Sequence, residues 1–270
     1  MTDLALIAGR GGLPLALVQA LEQAQDGARP YVCALDGFVP EGLTPDLYFR
    51  LERLVPFLRH LAERGITRVT FAGAVTRPRL DPALFDAATA QLVPRILTAM
   101  QAGDDATLRE VIAVFEEDGL VVEGVDTLAP ALLPQAGVLA GTVPPWAEAD
   151  AGRAAAIVAA LGAVDVGQAC VVARGLCLGV EALPGTDALL AQVAALPDAL
   201  RPKGGGLLFK AAKPGQDRRL DLPTLGPGTV AGAAAAGLAG IAFQAASVIC
   251  LDLPAMQAEA AARGLFLWAR

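Results

Sequence analysis

The chain is short of the residues from which most hydrolytic and redox sites are built. It has a single histidine, His60, in 270 residues, which excludes HExxH zinc chemistry and argues against a Ser-His-Asp relay. His60 lies in VPFLRHLAER, on an expected helix, where an ordinary surface or boundary imidazole is the simpler reading. Cys33, Cys170, Cys177 and Cys250 show neither CxxC spacing nor density, and the opening MTDLALIAGR lacks the basic stretch of a secretory signal; reduced thiols and a cytoplasmic location are expected. Charge is scarce as well, with 21 basic against 28 acidic residues and a net charge of −7. With no long basic run, no nucleic-acid partner is expected.

Hydrophobic residues are plentiful at 54%, so the chain can bury a large core, and its length suits two domains. From Leu222 to Leu251 there is no charged residue, a stretch long enough to cross a membrane. Its content is mostly Ala and Gly with Gln244 and Ser247, which insertion does not reward. A buried helix followed by two buried strands is the better reading.

Apolar runs ending at glycines, each followed by helical spacing, mark an α/β chain with a largely parallel sheet. Strands are expected at 4–9, 31–37, 67–73 and 120–125, and helices after Gly12, at 57–65, 83–101 and 104–118. Asp104 and Asp105 are expected to cap the last helix, and Gly119 to end it. Between Asp126 and Trp146 there are four prolines and no further charge, which reads as a linker. The expected division is an N-terminal Rossmann-like domain (1–130), a linker (131–146) and a C-terminal mixed α/β domain (147–270). In the latter, helices are expected at 147–162, 186–195 and 253–263. A hairpin turning at Arg174-Gly175, strands at 206–211, 239–243 and 247–251, and the closing LFLWA complete it.

The candidate chemistry lies at turns. IAGRGGLP (7–14) sets glycines between a strand and a helix, where backbone can approach a phosphate; it lacks the full GxGxxG and the Lys-Ser/Thr of a P-loop, and a plain βα turn with Pro14 in the first helical turn fits equally well. FAGAVTRP (71–78) repeats the architecture, which makes Arg77 a candidate phosphate or sugar contact. EALPGTDALL (181–190) places Thr186 and Asp187 before an apolar helix, where simple capping is the bland reading. Lys210 and Lys213 in FKAAKPGQD could grip a diphosphate. Asp221 begins DLPTLGPGT (221–229); if it adjoined Asp187 and the lysines, the carboxylates could hold a divalent cation or orient water for hydrolysis of a phosphoanhydride. A Rossmann-type nicotinamide oxidoreductase and a non-catalytic nucleotide-sugar-binding protein are the alternatives. The first lacks the third fingerprint glycine and any Tyr-Lys or His-based relay.

Taken in order, LIAGRGGLP, FAGAVTRP, GDDATLR (103–109), DVGQACVVARGLCLGVEALPGTDALL (165–190), KAAKPGQDRRLDLPTLG (210–226) and AGLAGI (236–241) resemble the LpxI-type UDP-2,3-diacylglucosamine diphosphatases of lipid A biosynthesis. The resemblance implies two α/β domains holding substrate between them. It also implies Mg2+-assisted (or Mn2+-assisted) hydrolysis of the lipid-linked nucleotide sugar to UMP and 2,3-diacylglucosamine 1-phosphate (lipid X). By motif, Asp221 is the indispensable residue and a metal ligand with Asp187, and Lys210 and Lys213 join them as catalytic. Gly9, Gly11, Gly12, Leu13, Thr76, Arg77, Asp104, Gln168, Thr186 and Thr224 would bind substrate. A transient inner-membrane surface contact and a homodimer are expected from the same resemblance. Two positions depart from the family pattern: Arg10, where relatives often have glycine, and Ala74, where they tend to have asparagine.

Overall fold

A computed structural model describes residues 2–24, 27–76, 80–200, 205–219 and 222–270, with backbone alone at 102, 104, 105 and 198. The chain divides into two compact units. The first comprises Met1–Pro130 with Asp217–Asp221, the second Ala131–Gln216 and Leu222–Arg270.

The first unit runs β1 (Leu4–Ala8), α1 (Leu13–Gln23), β2 (Tyr31–Leu35), β3 (Leu47–Phe49), α2 (Leu54–Glu63), β4 (Arg68–Ala72), α3 (Ala87–Ala90), α4 (Val93–Ala102), α5 (Asp104–Glu117), β5 (Val121–Val122) and α6 (Val125–Leu128). Its sheet has the order β3-β2-β1-β4-β5, all parallel. The central strand β1 is buried along its whole length, as a strand covered on both faces requires. Phe49 stacks on Phe57 and Phe71 meets Phe115 edge-on, closing the core over α2 and α5. Helix α5 starts after Gly103, whose φ of 126° only glycine adopts readily, so Asp104 is its first helical residue and not its cap. The short strand β3, absent from the sequence reading, extends the sheet at its β2 edge.

The second unit runs β6 (Gly137–Ala140), α7 (Ala147–Ala163), β7 (Ala169–Ala173), β8 (Leu176–Val180), α8 (Gly185–Ala194), β9 (Leu207–Lys210), β10 (Thr224–Leu225), α9 (Pro227–Ala235), β11 (Gly240–Phe243), β12 (Ile249–Cys250), α10 (Leu253–Arg263) and β13 (Phe266–Ala269). Among the described residues its main sheet is mixed, in the order β6-β13-β11-β9-β7-β8, with a small parallel pair of β10 and β12 beside it. Alternation along the strands sorts the two faces. Ala169, Val171, Leu208, Ile241 and Phe243 pack under α8, α9 and α10. Cys170, Val172, Leu207, Phe209 and Ala242 pack under α7. Helix α7 meets the sheet through Ala147, Ala151, Ala154 and Val158, spaced at three and four residues so that small side chains fall on one face.

The stretch read as a linker contributes β6, an antiparallel edge strand on β13. Its prolines flank the strand, and edge pairing needs no hydrophobic run to support it. The hairpin turns where expected, with Arg174 and Gly175 both at positive φ. Buried Asp150 of α7 holds it, accepting from the backbone N–H of Arg174 and of Gly175 at 2.7 Å each. The uncharged stretch 222–251 is divided among β10, α9, β11 and β12. Among the described residues no helix is long and apolar enough to cross a membrane.

Candidate functional site

In the first unit the chain order leaves β1 flanked by β2 on one side and β4 on the other, so the connections depart in opposite directions at the carboxyl ends of β1 and β4. Such a switch point is where open parallel sheets bind ligands. The two loops expected to share it do meet. Gly9 N–H donates to the Ala72 carbonyl at 2.8 Å, and Arg10 and Ala74 exchange both backbone hydrogen bonds at 2.9 Å each. A Cβ on Gly9 would lie 2.7 Å from the carbonyl carbon of Gly73, and one on Gly73 2.7 Å from that of Gly9. Both glycines are therefore required by contact between the loops. Gly11 has a φ of 87° and open space around it, and Gly12 precedes α1 with no side-chain cap. This leaves the first-turn amides of α1 and Leu13 at the switch point, an arrangement suited to an anion. Thr76 is exposed.

Arg10 does not reach across this loop pair with its side chain. Its Nη2 donates to the Gly37 carbonyl at 2.9 Å, and the guanidinium lies over the Phe38 ring, 4.8 Å from its centroid. The departure from glycine thus ties the β1 loop to the β2 loop. At Ala74 the backbone bonds are made whatever the side chain.

Three of the second unit's candidate residues, Lys210, Thr186 and Thr224, meet at the carboxyl end of β9. Lys210, its last residue, is 6% exposed, and a lysine is rarely buried without partners. Its Nζ donates to Thr186 Oγ1 at 2.8 Å and to the Thr224 carbonyl at 3.1 Å, and stands 3.9 Å from Glu181 Oε2. Thr186 Oγ1 in turn donates to Glu181 Oε2 at 2.7 Å. Strand register explains the gathering. Ala169 of β7 lies opposite Lys210, and the Glu181 N–H donates to the Ala169 carbonyl just past β8. Glu181, Ala169 and Lys210 therefore form one row on the face covered by α8. The outer two backbones are about 10 Å apart, and a methyl group between them lets two long side chains meet above it. Helix α8 adds Thr186 from its first turn.

Gln168 precedes this row, its carbonyl accepting from the Ala211 N–H at 3.0 Å. Its Oε1 is buried and has no hydrogen-bond partner among the described residues, which costs about 1–3 kcal/mol unless a ligand or water supplies a donor. Lys213 stands apart from Lys210's cluster, with Nζ on Asp165 Oδ1 at 2.6 Å. Asp187 is exposed on the first turn of α8. Arg77 and Asp221 lie outside the described residues, and Asp104 is described only by its backbone. The stretch before Asp221 is tied within the first unit: Arg218 Nε donates to Asp126 at 2.8 Å, and Arg219 pairs with Glu116 and, through a two-pronged contact, with Asp217.

Glu181 was missed as a site residue by the sequence reading. The available signal was its isolation, since it is the only charged residue between Arg174 and Asp187 and a carboxylate following a strand invites the question of its partner. Among the described residues no group of three or more His, Cys, Asp or Glu side chains could hold a metal ion. Of the two carboxylates expected to hold a metal only Asp187 is described, exposed on α8; a Mg2+ ion that keeps its waters and shares one or two carboxylates with substrate phosphates is the mode such a donor would fit. Burial pushes the thiols of Cys33, Cys170 and Cys250 up to about 12, which makes these three poor nucleophiles.

Comparison with known proteins covers both units. The LpxI N-terminal domain matches residues 3–132 and the LpxI C-terminal domain residues 135–268. A relative from Caulobacter vibrioides, named UDP-2,3-diacylglucosamine pyrophosphatase LpxI, is 38% identical over 275 residues, covering 99% of this chain and 97% of its own. With both domains matched in order and a relative aligned from end to end, this chain belongs to the LpxI family.

Proposed function

We propose that this protein hydrolyses the diphosphate of UDP-2,3-diacylglucosamine, giving UMP and 2,3-diacylglucosamine 1-phosphate in lipid A biosynthesis. The observation that carries the reading is the end-to-end match to a relative of that named activity, at 38% identity. The geometry agrees with it in both units. The glycine loops of the first unit, with Leu13, Thr76, Arg77 and Asp104, are assigned to the nucleotide sugar. In the second, Lys210 sits at a strand's carboxyl end with Thr186 and Thr224, a buried cation placed to stabilise charge on phosphoryl oxygens. Gln168 offers a buried acceptor.

Asp221, with Asp187, is assigned to position the attacking water, and Lys213 to the same phosphates. A Mg2+ or Mn2+ ion held by these two carboxylates and the substrate would neutralise the diphosphate. Attack at the sugar-proximal phosphorus makes UMP the leaving group. The protein would work at the inner face of the cytoplasmic membrane, where its lipid substrate resides.

The test is UMP release by the purified protein from UDP-2,3-diacylglucosamine in detergent micelles, with and without chelator. Release that chelation stops and Mg2+ restores is expected, with oxygen from isotopically labelled water appearing in the lipid phosphate. UDP-sugar binding with no UMP after prolonged incubation would leave a nucleotide-sugar-binding protein instead.

A further inference from the structure

The hydrogen-bond inventory at Thr186 restricts what that residue can do. A hydroxyl has one proton and two acceptor lone pairs. The Thr186 proton is directed at Glu181 Oε2, 2.7 Å away, and one lone pair receives the Lys210 ammonium at 2.8 Å. What remains is a single lone pair. Thr186 can accept from a water, a hydroxyl or an N–H, but has no proton to give a phosphate oxygen.

We infer that Glu181 is a positioning residue of the hydrolytic site, fixing the Thr186 hydroxyl as an obligate acceptor that orients a water or a substrate hydroxyl beside the diphosphate. This inference rests on the function proposed above. Without Glu181, Lys210 would still donate to Thr186 Oγ1, and the hydroxyl proton would swing to the side Glu181 no longer occupies or towards the ligand. In either case Thr186 would no longer fix the orientation of the group it had held. Glu181 is itself fixed: it is 8% exposed, and its backbone N–H is bonded to Ala169 at 2.8 Å. The competing account is that Glu181 merely offsets the charge of buried Lys210. The two accounts differ in what an amide does. Gln at 181 retains an oxygen that accepts the Thr186 proton, while the negative charge is gone.

The experiment measures kcat and KM for UMP release by the full chain carrying Glu181→Ala, Glu181→Gln, Thr186→Val and the Ala/Val double substitution, with thermal unfolding recorded for each. Glu181→Ala is expected to lower kcat about 100-fold, a loss of the size seen when one oriented hydrogen-bonding group is removed, with KM within about twofold of the parent. Glu181→Gln should recover kcat to within about tenfold of the parent. The double substitution should be no more than about threefold worse than Thr186→Val alone, because residues acting as a unit are not additive.

A Gln variant as poor as the Ala variant would overturn the inference in favour of charge compensation. So would losses that multiply in the double substitution, or an Ala variant with near-parental kcat. Should Glu181→Ala fail to fold, a Glu181→Gln variant more than about tenfold below the parent in kcat, or losses that multiply when it is combined with Thr186→Val, would overturn the inference. A parent protein that releases no UMP removes the proposed function, and this inference with it. A parent that is active while the variants behave independently removes the inference alone.

Discussion

The two units present the carboxyl ends of parallel strands in opposite ways. In the first, backbone meets backbone: Gly9 and Gly73 approach so closely that neither tolerates a Cβ, and Arg10 and Ala74 pair through main-chain bonds. In the second, side chains meet over a methyl group, with Glu181, Lys210 and Thr186 closing on one another above Ala169. A site shaped by backbone can be loosened but has little chemistry to lose. A site made of buried polar side chains concentrates the chemistry, and each member depends on the others.

That contrast can be broken in stages. Lys210→Met should have the largest effect, lowering kcat for UMP release by about 10³-fold and leaving Glu181 without its cation. A variant that keeps most of its turnover would show that the buried cluster is only structural. Gly9→Ala should act on stability first. With backbone atoms 2.7 Å from the new Cβ, it should cost about 2 kcal/mol in denaturant unfolding of the first unit; unchanged stability would contradict the close contact of the loops. Asp150→Ala removes two bonds to the hairpin turn and should cost a comparable amount, about 2 kcal/mol, with faster amide exchange at Arg174 and Gly175.

The smallest effect concerns acid. Arg219's hydrogen bond holds the Asp217 carboxyl below its usual value. The stability Asp217 contributes is therefore present above the unfolded pKa and is lost as the pH falls through the folded value. Amide protection at 217–219, taken relative to the intrinsic exchange rate at each pH, should fall below about pH 4 and be flat above it. A loss of protection near neutrality would implicate another group.

Much of the fold was legible because its signals are local. LALIAG followed by a glycine turn and an apolar-periodic helix is sufficient to indicate β1 and α1, and Arg174-Gly175 marks the hairpin by its demand for positive φ. Strand β3, with three residues, and β6, embedded among prolines, were not legible, since edge pairing depends on what lies alongside. Lys210 drew notice as a charge within an apolar strand, and Thr186 as a polar residue at a helix start. Nothing along the chain said that they touch, because 24 residues separate them. Lys213 looked equivalent to Lys210, yet its partner is Asp165, 48 residues away.

The sequence by itself determined the class of the molecule: two α/β regions, turns rich in glycine, and an order of motifs that resembles one family throughout. Those features follow from residue type and spacing, which act over a few positions. Tertiary structure alone decided which polar residues share a site and which donor each hydroxyl faces. Such pairings arise from register between strands distant in the chain and from the space a small residue such as Ala169 leaves between them, and no local pattern encodes either.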